Sequence, residues 1–159
     1  MNNKLKIILF VLVLLFLGFF REYVFTWVNA VLFDKYNTVY DPDHAPIRQE
    51  FVFLTRLSYN TVYTIKWFVT AIFLVVFWLT QKKLLFILFA EKKTNLWLGV
   101  MYLSLLLLAG ISFFTGWAIG YIHEGYRFSR IFVGLAESPV PSMILIPLTH
   151  FYKNYNDKI

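Results

Sequence analysis

Long apolar runs separated by short polar stretches set the architecture of this chain. They cover residues 7–20, 62–80, 96–121 and 131–151, the last interrupted by Ser138-Pro139-Val140-Pro141. Several approach the ~20 residues needed to cross ~30 Å of hydrocarbon. The first is led by Lys4 and Lys6, as in a signal peptide. Its small pair Val28 and Ala30 lies far beyond the run, past Arg21 and Glu22, so an uncleaved anchor is expected. That helix is expected to extend through Tyr23, Trp27 and Val31 as an interfacial segment. A shorter run, 84–90, between Lys82-Lys83 and Lys92-Lys93, is too short to span and predicts an interfacial turn of helix. The polar segment 34–57 predicts an outer loop with turn chemistry at Asp41-Pro42-Asp43-His44-Ala45-Pro46. Its end, 47–57, reads as a short amphipathic helix on the surface.

Composition turns this pattern into a class. Of 159 residues, 59% are hydrophobic and 21% aromatic, and the mean hydropathy is +0.63. A soluble domain of this size could not hide so much apolar surface. The expected fold is all-α, a polytopic integral membrane bundle of four transmembrane helices in one domain over 1–159, with the last helix broken at Ser138-Pro141. The absence of cysteine excludes disulfides, thiolate metal sites and cysteine nucleophiles.

Charge orients the bundle. With the N-terminus inside, the inner side holds Lys4, Lys6, Lys82, Lys83, Lys92, Lys93, Lys153 and Lys158, and the outer side Lys35, Arg48, Arg56, Arg127 and Arg130. This excess predicts an N-in/C-in arrangement. Aromatic belts agree: Trp27, Tyr59, Tyr63, Trp67, Trp117, Tyr121 and Tyr126 lie near one boundary, and Trp78, Trp97, Tyr152 and Tyr155 near the other. The net charge of +6 is thus a topology signal, and no basic run is long enough to track a phosphate backbone, so no nucleic-acid partner is expected. Compactness and a pI near 9.5 favour a bacterial inner membrane.

Polar residues inside spans are the candidates for chemistry. Lys66 is placed about 9 Å and Glu137 about 10 Å from the outer face at 1.5 Å per residue. Intramembrane charges usually find partners, so they form a candidate ion pair, with snorkelling of Lys66 as the alternative. Arg127, Arg130, Gly134 and Glu137 share a helix face that runs into the break. Ser138 suits an N-cap and Pro139 a first helical turn, which predicts two half-helices meeting near the outer leaflet. Such a break lines a cavity or is a satisfied kink. Arg127 and Arg130, with Arg21, could hold an anionic group. His44, His123, Glu124, Arg127, Arg130 and Glu137 together form a candidate outer-face polar cluster. Its His and carboxylates, with Asp41 and Asp43, match no zinc-ligand spacing, so no metal or cofactor is assigned. Ser112, Gly116 and Gly120 form a small-residue face for close helix packing, within the bundle or on a partner. No serine-hydrolase elbow, metalloprotease helix or phosphate-cradling loop is present, so no catalytic residues are assigned.

The lysine-led first span ending at Arg21, the entry Leu57-Ser58-Tyr59-Asn60-Thr61, and the tail motifs Arg127-Phe128-Ser129-Arg130, Ser138-Pro139, Ile144-Leu145-Ile146-Pro147 and Phe151-Tyr152-Lys153 carry a resemblance. The chain resembles the small membrane proteins encoded beside exosortases, the exosortase F-associated kind, although its long acidic outer loop departs from that pattern. The resemblance implies an accessory subunit of an envelope protein-sorting system. It implies no catalytic residue, since the Cys, Arg and His set of exosortases needs a cysteine that this chain lacks. The leading expectation is a non-enzymatic accessory membrane protein, in the lipid bilayer, binding a larger integral membrane protein. The alternatives are a lipid- or envelope-modifying enzyme using the outer-face cluster, and a small oligomeric channel or transporter using Lys66 and Glu137.

Overall fold

A computed structural model describes residues 3–36, 49–89 and 92–156. Six α-helices follow one another: α1 (Asn3–Tyr36), α2 (Val52–Thr55), α3 (Tyr59–Phe89), α4 (Lys92–Ala118), α5 (Ile122–Ala136) and α6 (Val140–Asn156). A 3-10 turn, Gln49–Phe51, leads into α2, and the described residues contain no strand. Lipid offers the backbone no hydrogen-bonding partner, so apolar runs of this length must satisfy their amides internally, as helices do. α1, α3 and α4 are each long and apolar enough to cross a bilayer, and α5 with α6 passes the same test as a pair bent by 55°. The chain is a multi-pass helical membrane protein.

Several boundaries differ from the sequence expectation. Residues 84–89 of the short run are not a separate interfacial turn but the last two turns of α3, where Leu84 and Leu85 are buried. Lys82 and Lys83 are exposed on that helix, and Lys82 lies 5.0 Å from the Trp78 ring centroid. The third span ends at Ala118, and the next helix begins at Ile122 rather than 131, so the helix expected to carry Arg127 and Arg130 on one face starts nine residues before the apolar run. Much of the outer loop, including Asp41, Asp43, His44 and Arg48, lies outside the described residues.

The chain forms two compact units, Phe19–Phe73 and Met1–Gly18 with Leu74–Ile159. In the first, Val28, Val31, Leu32, Leu54 and Val62 form the buried core. α2 is tied to α1 where Lys35 Nζ donates to the Thr55 carbonyl at 2.8 Å, and the 3-10 turn before it where Phe51 stacks on Trp27. Ser58 caps α3 by accepting from the Thr61 amide through its Oγ at 3.2 Å.

In the second unit the core is Leu85, Leu98, Tyr102, Ala136 and Leu145. α4 ends in a tight turn where Gly120 takes φ 81°, a left-handed conformation cheap only for glycine. α5 then returns along α4. Gly125 meets Gly116 near the turn, Ala136 reaches the core with Leu98 and Tyr102, and Leu148 and Thr149 of α6 share a groove with Lys93 and Trp97 at the start of α4. α5 and α6 thus descend α4 in succession.

Candidate functional site

The break between α5 and α6 follows from its two prolines. In an unbroken helix the amides of residues 139–142 would donate to the carbonyls four residues earlier. Pro139 and Pro141 have no amide hydrogen to give. Ser138 compensates on one side: its Oγ donates to the Leu135 carbonyl at 2.7 Å and accepts from the Val140 amide at 3.3 Å. Regular bonding resumes where the Met143 amide donates to the Pro139 carbonyl at 3.0 Å.

One pair within the break is spliced by a side chain from another helix. Gln81 of α3, fully buried, donates through Nε2 to the Ser138 carbonyl at 2.7 Å. Its Oε1 accepts from the Ser142 amide at 2.9 Å. These are the two groups that would bond each other in a continuous helix, and the carboxamide sits between them like an extra peptide unit. The same Nε2 donates to the Tyr102 hydroxyl of α4 at 3.1 Å. A flipped amide would set donor against donor at Ser142 and acceptor against acceptor at Ser138, so the orientation is fixed. Three helices therefore meet at one buried polar knot, in which Ser142 and Glu137 are each only 2% exposed and Glu137 lies within electrostatic reach of Tyr102.

The knot lies far along α5 from the α4–α5 turn. Glu137 follows Ile122 by 15 residues along α5, a rise of about 22 Å from the turn. Gln81 is eight residues from the end of α3, about 12 Å from the opposite end of the bundle. The half-helices meet a full α5 length from the α4–α5 turn, because α5 begins nine residues earlier than the apolar run does. Lys66, half-buried in α3, belongs to the unit Phe19–Phe73 and Glu137 to the other.

The small-residue face resolves into two different roles. A Cβ on Gly116 would lie 2.5 Å from the Gly125 Cα, and one on Gly125 would lie 2.7 Å from the Gly116 Cα and 2.9 Å from the Ser112 carbonyl. Ser112 and Gly116 thus pack within the chain, backbone against backbone on α5. Gly120 takes no part in that contact: it serves the turn, and an added Cβ there meets nothing within 4 Å.

On the far side of α5 from Gly125, the candidates His123, Arg127 and Arg130 form an exposed stripe at spacings of four and three, with the exposed Glu124 beside it. No hydrogen bond or ion pair among the described residues engages Arg127 or Arg130. A shallow crease of about 310 Å³ follows the α4–α5 contact and includes Ser112, Thr115 and Glu124, but not His123, Arg127 or Arg130. The described residues hold no group of His and carboxylates able to bind a metal ion, and His44 lies outside them. Arg21 is held by Glu22 at 3.4 Å and lies over the Phe25 ring.

Sequence reasoning missed Gln81, Tyr102, Ser142 and Gly125. Gln81 carried a weak signal, a carboxamide directly after the apolar run 62–80, but it stands beside Lys82-Lys83 at the end of that run. Comparison with protein-family models, curated proteins and solved structures finds no match.

Proposed function

We propose that this chain is a non-enzymatic accessory subunit that docks on a larger integral membrane protein in a bacterial inner membrane. The observation that carries this reading is the cationic stripe of α5. Arg127 and Arg130 lie about 8 Å and 12 Å along the helix from its start, in a pair long and apolar enough to span a bilayer. Charged groups facing hydrocarbon are costly, and the usual remedy is a polar partner or reach to the headgroups. The opposite face of α5 is committed to α4 through Gly116 and Gly125, so the stripe is directed outward, where acidic or polar groups of a partner helix would meet it. Among the described outer-face candidates, His123, Arg127 and Arg130 lie outside the crease that Glu124 lines. The exosortase-associated resemblance supplies the pathway of the proposal: protein sorting at the cell envelope.

The test is affinity purification of the tagged protein from native membranes in mild detergent, with mass spectrometry of what co-purifies. One larger membrane protein should be recovered in stoichiometric amount. Arg127→Glu combined with Arg130→Glu should reduce that recovery about tenfold or more while leaving the monomer folded, since neither side chain supports the fold. Recovery of the chain alone, as monomer or homo-oligomer, sinks the accessory reading.

A further inference from the structure

The lysine-bearing end of the bundle holds a feature unrelated to the α5 stripe. A groove of about 550 Å³ opens between the start of α4 and the middle of α6. Lys93, Leu96 and Trp97 line one wall and Leu145, Leu148 and Thr149 the other. Its walls are mostly aliphatic and aromatic. Its polarity is graded: Leu145 reaches the buried core with Leu98 and Tyr102, whereas Lys93 sits in the first turn of α4 with Thr149 across from it.

We infer that this groove is a binding site for one acidic phospholipid, with an acyl chain along Leu96, Leu145 and Leu148 and the phosphate at Lys93. The occupant is argued from charge and depth together. Only a ligand apolar at the deep end and anionic at the shallow end matches both walls. Lys82 and Lys83, exposed near the end of α3, add positive potential at the same end of the bundle. Basic pockets between transmembrane helices at such a boundary favour anionic headgroups, each cation near the surface adding ~1 kcal/mol. The Trp97 indole offers a hydrogen-bond donor suited to interfacial depth. The bilayer presents this ligand from every side, so no soluble carrier is needed.

The experiment uses the full chain, purified and delipidated in mild detergent, then offered phosphatidylglycerol or phosphatidylcholine with native mass spectrometry and thermal melting as readouts. One phosphatidylglycerol should be retained per chain and should raise the melting midpoint more than phosphatidylcholine does. Lys93→Gln should weaken phosphatidylglycerol retention about fivefold, the ratio that ~1 kcal/mol represents, and leave phosphatidylcholine unchanged. Leu148→Trp, which fills the groove, should abolish the bound lipid of either kind, and it carries the test should Lys93→Gln fail to fold. Equal retention of both lipids, or a phosphatidylglycerol adduct that survives Leu148→Trp, overturns the inference.

Discussion

At the scale of single residues, the most consequential side chain is Gln81. Its carboxamide meets two backbone groups that a proline-broken helix leaves without their usual partners, Ser138 C=O and Ser142 N–H. In lipid, as in a protein core, each such group costs about 1–3 kcal/mol when stranded. Gln81→Leu should therefore destabilise the chain by roughly 2–4 kcal/mol. Tyr102→Phe removes only the 3.1 Å bond at the edge of the knot, and interhelical bonds of that kind in membranes average about 0.6 kcal/mol. Thermal melting of both variants in one detergent checks the ordering. If Tyr102→Phe costs as much as Gln81→Leu, the splice is not what holds the break. The prolines and Ser138 made the break itself legible, because missing amides and a capping hydroxyl are properties of residue type. The identity of the splicing residue was not legible, since that depends on which residue of a helix 57 positions away faces Ser138.

At the scale of elements, the α4–α5 hairpin depends on the absence of side chains at two points. With a Cβ at Gly116 only 2.5 Å from Gly125 Cα, and backbone on both sides, neither neighbour can turn aside. Gly116→Ala and Gly125→Ala should each force the hairpin apart and lower the melting midpoint by the equivalent of about 1–3 kcal/mol, the usual cost of overpacking. Gly99→Ala and Gly110→Ala, where an added Cβ meets nothing within 4 Å, should be neutral or stabilising by up to about 1 kcal/mol, because alanine is the better helix former. A uniform response of the four would mean that helix propensity and not close approach governs these positions. The existence of the spanning helices was legible from apolar run length, while their ends were not. Lysines end an apolar run but not a helix: Lys82 and Lys83 are exposed on α3, with the Lys82 ammonium over the Trp78 ring, and a long apolar stem lets such a residue continue a helix while its charge reaches outward. In the same way the polar stretch before residue 131 hid the start of α5, since an amphipathic helix against Gly116 needs small residues on one face and tolerates His123, Arg127 and Arg130 on the other.

At the scale of the whole molecule, the bent pair decides the topology. If α5 and α6 make one traverse, the chain crosses four times and both termini share a side. If the 55° bend marked a re-entrant loop, the tail would return to the side of the α4–α5 turn. The order of contacts along α4 favours the traverse: Gly125 beside Gly116, then Ala136 and Leu145 with Leu98 and Tyr102, then Leu148 and Thr149 across from Trp97 and Lys93. The lysine excess at the α3–α4 turn independently predicts that this end faces the cytoplasm. Because the chain has no cysteine, single introduced thiols report topology without background. In intact cells or spheroplasts, Glu124→Cys should react with a membrane-impermeant maleimide. Lys83→Cys and Lys158→Cys should react only after permeabilisation. Labelling of Lys158→Cys together with Glu124→Cys would make the pair re-entrant. Labelling of Lys83→Cys alone in intact cells would invert the bundle and place the cationic α5 stripe on the cytoplasmic side, where an accessory role at the outer envelope face could not use it.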